Sequence, residues 1–192
     1  MSTIKRLDDE VADLIPAAQR GGTAARDELL RRCHRTIYRW ALVLTGDRDE
    51  AEDVAQEALV RVYRHLSGFS GRARFTTWLY RLTRNTALGL RRQVMSRLRL
   101  ARRFGEHVVA TPPVPEEDPV ARVQRTDLLE RVTTLFLELP VRQREVFHLA
   151  DMEGFTAAEI GEQLGMKPVT VRAHLFRARR ALRARLLEER QT

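Results

Sequence analysis

Cysteine is all but missing from this sequence. Cys33 is the single one among 192 residues, so neither a disulfide framework nor a cysteine-based zinc site can be built, and a reducing compartment fits. Long apolar runs are missing as well. None approaches the roughly 20 residues that cross a bilayer, and Met1 to Glu10 has no apolar stretch or small-residue cleavage site, so a cytoplasmic protein without membrane insertion is expected. Histidines are few and scattered (His34, His65, His107, His148, His174), with no His-x-x-x-His pair and no Ser/His/Asp set. This excludes an obvious catalytic or metal centre, and no cofactor, no metal and no enzymatic activity are expected. Lysine is scarce too: only Lys5 and Lys167 are lysines among 34 basic residues. Codon bias explains that skew toward arginine at least as well as phosphate recognition does.

Charge is what the chain has in excess. With 34 basic against 26 acidic residues the net charge is +8, which in a small protein suggests a polyanionic partner, nucleic acid first. The excess is placed in two acid-free stretches: Arg91, Arg92, Arg97, Arg99, Arg102 and Arg103 form one, and Lys167 through Arg185 the other.

Four of the seven prolines lie between Thr111 and Pro119, a stretch that cannot continue a helix. On both sides apolar residues recur at three- and four-residue steps, as in Leu29, Cys33, Ile37, Trp40, Leu44 and in Val54, Ala58, Val62, Leu66. The fold expected is all-α, in two small helical domains: an N-terminal extension (1–23), a helical bundle (24–96), a flexible proline-rich linker (97–122) and a C-terminal helical domain (123–192). Thr156-Ala157-Ala158-Glu159 reads as a capping box, and Phe155 and Ile160 as its hydrophobic staple. A short helix from there to Gly165, and a second beginning near Pro168, form the helix-turn-helix pattern of DNA readers.

Three constellations carry candidate function. On the last helix Arg172, Phe176, Arg179 and Arg183 share a face, Arg177 and Arg180 flank it, and Thr170 and His174 lie nearer its start. Arginines there can grip guanine or phosphate, although a charge run alone is more often a solvated face. Phe69, Phe75, Trp78 and Tyr80 are interleaved with Arg72, Arg74, Arg81 and Arg84. They offer stacking faces for unpaired bases, but aromatics at helical spacing are usually core, so the polar loop Ser67 to Ala73 is the better site. The helix opening with Asp47, Asp49, Glu50, Glu52 and Asp53, then Gln56 and Glu57, is either dipole stabilisation or, because the acids persist past the first turn, a face for a protein partner.

Asp49 to Glu57 (DEAEDVAQE), Phe75 to Asn85 (FTTWLYRLTRN), Leu139 to Phe147 (LPVRQREVF) and Thr170 to Arg180 (TVRAHLFRARR) together resemble the extracytoplasmic-function sigma factors of bacterial RNA polymerase. The resemblance implies an alternative sigma factor, monomeric when free, that binds core polymerase, selects promoter DNA and starts its melting. Asp49, Glu50, Asp53, Gln56 and Glu57 would meet the clamp helices of the largest subunit, and the flap of the second-largest subunit would be a further contact. Ser67, Gly68, Phe69, Ser70, Arg72, Phe75, Trp78, Arg84 and Asn85 would capture and open the minus-ten element. Lys167, Thr170, Arg172, Ala173, His174, Phe176, Arg177, Arg179 and Arg180 would read the minus-thirty-five element. An anti-sigma factor is a further implied partner. Lys167 replaces a capping residue, which puts the first turn of the recognition helix in question, and Ala173 is smaller than the usual reader. A free-standing helix-turn-helix regulator shares the C-terminal features but needs neither the acidic helix nor the aromatic loop.

Overall fold

The computed structural model describes residues 3–103 and 125–189, and every element among them is helical. Short helices α1 (Thr3–Val11) and α2 (Leu14–Gln19) precede the long α3 (Thr23–Thr45), α4 (Arg48–His65) and α5 (Phe75–Arg103). The second region contains α6 (Arg125–Leu137), α7 (Val141–Phe147), a wide helical turn over His148–Met152, α8 (Ala157–Leu164) and α9 (Pro168–Glu189). Most of the expected linker, 104–122, lies outside the described residues.

The stripe on α3 is the spine of the core: Leu29, Cys33, Ile37 and Trp40 are all 0 % exposed. Burial pushes the Cys33 thiol up to about 12, so it behaves as a small apolar group. Alanines 51, 55 and 58 on α4 are likewise fully buried, which lets the α3 and α4 backbones approach closely. Gly46 ends α3 in the left-handed region at φ +83°, a conformation that favours glycine, and the Arg144 guanidinium lies where a Cβ would stand, at 2.7 Å. Asp47 then caps α4, its Oδ1 accepting the Glu50 N–H at 2.9 Å.

Within the expected N-terminal extension, α1 and α2 bury Leu7, Val11 and Ala18 in the same core as α3 and α5. Helix α5 runs on to Arg103, past the boundary expected at 96, because neither proline nor glycine interrupts 90–103. The two helical regions also meet directly. One buried cluster runs from Leu7 to Val171, and polar bonds cross it: Trp40 Nε1 donates to Glu153 Oε1 (3.3 Å) and Tyr80 OH to Glu145 Oε1 (2.9 Å).

Candidate nucleic-acid interface

The C-terminal unit is built for precise placement of α9. Thr156 Oγ1 accepts the Glu159 N–H (3.3 Å) while Glu159 Oε2 accepts the Thr156 N–H (2.8 Å), and Phe155 and Ile160 are buried beneath this capping box. Inside α8, Gly161 is required by a close approach: a Cβ there would lie 2.5 Å from the Met166 carbonyl, where the chain turns toward α9. The first turn of α9 is formed through backbone, the Lys167 carbonyl accepting from Thr170 (2.9 Å) and Val171 (3.1 Å), so the missing side-chain cap does not unwind it.

Val171 and Ala178 are fully buried, and they fix which side of α9 faces outward. Lys167, Thr170, Arg172, Phe176, Arg177 and Arg180 are exposed, Phe176 at 66 %. Ala173 and His174 are half-buried. Burial, then the charges of Arg177 and Arg142, hold the His174 imidazole below its usual value. Arg179 is exposed but engaged, its guanidinium donating to both oxygens of Asp151 at 2.9 and 2.5 Å.

The aromatic constellation of the N-terminal region is turned the other way. Phase decides this: Phe75, Leu79 and Tyr80 fall on the core side of α5 and are 4 %, 0 % and 1 % exposed, so Phe75 and Tyr80 offer no free face to a base, contrary to what their residue types suggest. Phe69 and Trp78 are half-buried, and with Phe75 they form a cluster with ring centroids 5.4 to 5.5 Å apart. Ser67, Gly68, Ser70 and Arg72 are exposed on the loop beside it, and Asn85 is exposed on α5. Arg84 is not free: its Nε lies 2.6 Å from Glu145 Oε1, in a pair whose carboxylate is 1 % exposed. That carboxylate also accepts from Tyr80 and Arg142, three donors in all, which satisfies a charge otherwise costly to bury. Burial first, then the Glu145 charge, pushes the Tyr80 hydroxyl well above its usual value, so it remains a donor.

The acidic face of α4 is separate from both. Asp49, Glu50, Asp53 and Gln56 are exposed, and Glu57 is half-buried with its carboxylate 2.8 Å from Arg61 Nε. One groove joins this face to the second region, lined by Glu50 and Asp53 of α4, Arg84 and Leu88 of α5, and Arg142 and Glu145 of α7.

Four residues that organise these surfaces carry no readable sequence signal. Glu145 sits inside a recognisable run, but nothing there marks its burial. Glu153 pairs at 3.2 Å with His148 and accepts from Trp40. Burial alone would raise its carboxyl, yet the bonds from His148 and Trp40, with the charges of His148 and Arg39, hold it below the usual value. From α1 Asp8 reaches Thr76 at the start of α5, and from α2 Gln19 reaches the Leu66 and Phe69 carbonyls. Among the described residues no His/Cys/Asp/Glu group is arranged to hold a metal ion, and no helix is long and apolar enough to cross a membrane.

Comparison with known proteins matches both regions. The family described as Sigma-70 region 2 covers residues 29–97, and Sigma-70, region 4 covers 129–182. The chain is 34% identical over 179 residues to the ECF RNA polymerase sigma factor SigM of Mycobacterium tuberculosis, spanning 92% of this chain and 84% of that protein. It is 30% identical over 158 residues to the ECF RNA polymerase sigma factor SigW of Bacillus subtilis, spanning 78% and 82%. Among solved structures, the sigma factor RpoE of Bartonella quintana, in complex with the anti-sigma factor NepR, superimposes with a TM-score of 0.62 at 21% identity, over 83% of this chain and 95% of that one. That last likeness speaks for the fold. With both regions matched in order and relatives aligned across most of their lengths, the chain belongs to the ECF sigma factors of RNA polymerase.

Proposed function

We propose a division of labour for this transcription initiation factor in which three surfaces make separate contacts. The acidic face of α4, through Asp49, Glu50, Asp53, Gln56 and Glu57, attaches the factor to the clamp helices of the largest polymerase subunit, and the second region meets the flap of the second-largest. Helix α9 enters the major groove of the minus-thirty-five element, where Arg172 and Arg177 read base edges and Arg180 holds phosphate. The 67–73 loop receives an unpaired base of the minus-ten element, with Phe69, Trp78 and Asn85 beside it.

The observation that carries this reading is the segregation of charge: an exposed acidic face on α4 and an exposed basic face on α9, on one molecule. An acidic face repels DNA and so suits a protein partner, while the basic face suits a duplex. Arg84 joins the DNA contacts only after it leaves Glu145, so in this arrangement it is in reserve. By analogy with the RpoE–NepR complex, the partners include an anti-sigma factor, and all of these contacts are made where the polymerase works, in the cytoplasm.

The test is core binding. Reversing both Asp53 and Glu57 to lysine is expected to weaken association with core polymerase, leaving the helical content unchanged by circular dichroism. A folded double variant that binds core normally contradicts the assignment of α4.

A further inference from the structure

The loop that the proposed function gives to base capture is fastened at both ends to the N-terminal helices. At its start the Gln19 side-chain amide, from the end of α2, donates to two carbonyls at once, Leu66 O at 2.9 Å and Phe69 O at 2.8 Å. At its end Asp8 of α1 closes the first turn of α5, Oδ1 accepting the Thr76 N–H at 2.9 Å and Oδ2 the Thr76 hydroxyl at 2.8 Å. These contacts join residues 47 to 68 positions apart, so nothing local imposes them. Between the two anchors Ser67, Gly68, Ser70, Gly71, Arg72, Ala73 and Arg74 are all exposed. A cavity of about 480 Å³ opens between the loop and the helices, walled by Asp8, Asp9 and Ile15 on one side and by Phe69, Gly71 and Phe75 on the other.

We infer that α1 and α2 form the rear wall of the pocket for an unpaired promoter base, with Gln19 and Asp8 as positioning residues that hold the loop in its receiving shape. The inference rests on the proposed role of the 67–73 loop. Its physical basis is entropic. An exposed glycine-bearing segment of this length loses conformational freedom when it closes on a base, and that loss subtracts from the stacking and hydrogen bonding that must offset unpairing. The two bonds from Gln19 fix the Leu66 and Phe69 carbonyls, and the Asp8 bonds fix where α5 begins, so much of that loss is incurred at folding. Neither Gln19 nor Asp8 need touch the base for this.

The prediction separates ordering of the loop from stability of the domain. Holoenzymes are assembled with Gln19→Leu, which keeps the bulk and removes both donors, with Gln19→Lys, which restores a donor on a long stem, and with Asp8→Asn. Affinity is measured for fork-junction templates carrying each of the four bases at the captured minus-ten position. Gln19→Leu is expected to compress the best-to-worst ratio about tenfold, in line with the loss of two ordinary hydrogen bonds, and Asp8→Asn by less. Gln19→Lys should recover part of the ratio, and core affinity should be unchanged throughout. A merely structural role would lower thermal stability and core binding together and would leave base discrimination intact in the holoenzyme that forms.

Replacing Ser67 to Ala73 with a Gly/Ser segment of equal length is the control. If that replacement abolishes discrimination but Gln19→Leu and Asp8→Asn keep it, the inference about the N-terminal helices is overturned and the role of the loop stands. If discrimination survives the loop replacement itself, both fall. Should Gln19→Leu not fold, Gln19→Lys and Asp8→Asn decide the matter by the same ratio.

Discussion

Two stretches of this chain have similar composition and opposite fates. Residues 69–84 and 172–185 both interleave aromatics or apolar residues with arginines, yet Tyr80 is 1 % exposed and Phe176 is 66 % exposed. The difference is helical phase against the core. Tyr80 follows Leu79 and precedes Thr83 on the buried side of α5, whereas Phe176 lies off the Val171 and Ala178 stripe of α9. Residue type therefore marks the two stretches alike; only register with the buried stripe shows which side chains are left exposed. The N-terminal surface is accordingly a loop held by distant tethers, and the C-terminal one is a helix set by its buried stripe and by the capped helix α8 before it.

Truncating each aromatic separates the two faces most strongly. Tyr80→Ala removes a buried ring packed edge-to-face on Trp40 at 5.2 Å and leaves the Glu145 carboxylate short of a donor. It should cost about 3 to 5 kcal/mol in urea unfolding. Phe176→Ala should change stability by less than about 0.5 kcal/mol, as expected for a surface position, and act instead on promoter binding. Similar losses of stability in both variants would contradict the assignment of opposite faces.

A smaller effect is expected on α9 itself. Arg172→Ala and Arg177→Ala should each lose about 1 to 3 kcal/mol of discrimination between cognate and altered upstream elements, the range for a bidentate base contact. Arg180→Ala should weaken all duplexes alike and flatten the salt dependence. Equal losses on specific and random duplexes for all three would show that α9 grips only backbone. Smallest of the set, Thr156→Ala should cost about 1 kcal/mol through the α8 cap, read as a lowered unfolding midpoint with the α4 surface unaffected.

Much of this architecture is legible in the residues. The stripes of α3 and α4, the Thr156–Glu159 cap and the turn at Gly165 all follow from local periodicity and capping chemistry, because those signals act over one or two turns. What stays hidden is long-range. Asp8 and Gln19 look like ordinary polar residues of a terminal segment until folding brings them to Thr76 and to the loop carbonyls. Arg84 reads as a free cation, and only packing of α7 against α5 reveals its pairing with buried Glu145. The tight turn carbonyl that requires Gly161 likewise comes from beyond its own helix, and by propensity alone that glycine looks like a flaw.

If this one chain gives core polymerase its promoter choice at two separated DNA elements, core alone should initiate without that choice. The direct measurement is transcription by purified core polymerase on a randomised promoter library, with and without the protein. Transcripts that appear only with the protein, from templates sharing an upstream and a downstream motif, are the predicted result. With the Gly/Ser loop replacement, initiation should fail on duplex templates and return on those carrying a pre-opened bubble. Selection of a single duplex motif that the protein binds equally well without polymerase, and no dependence of initiation on the protein, would contradict the account.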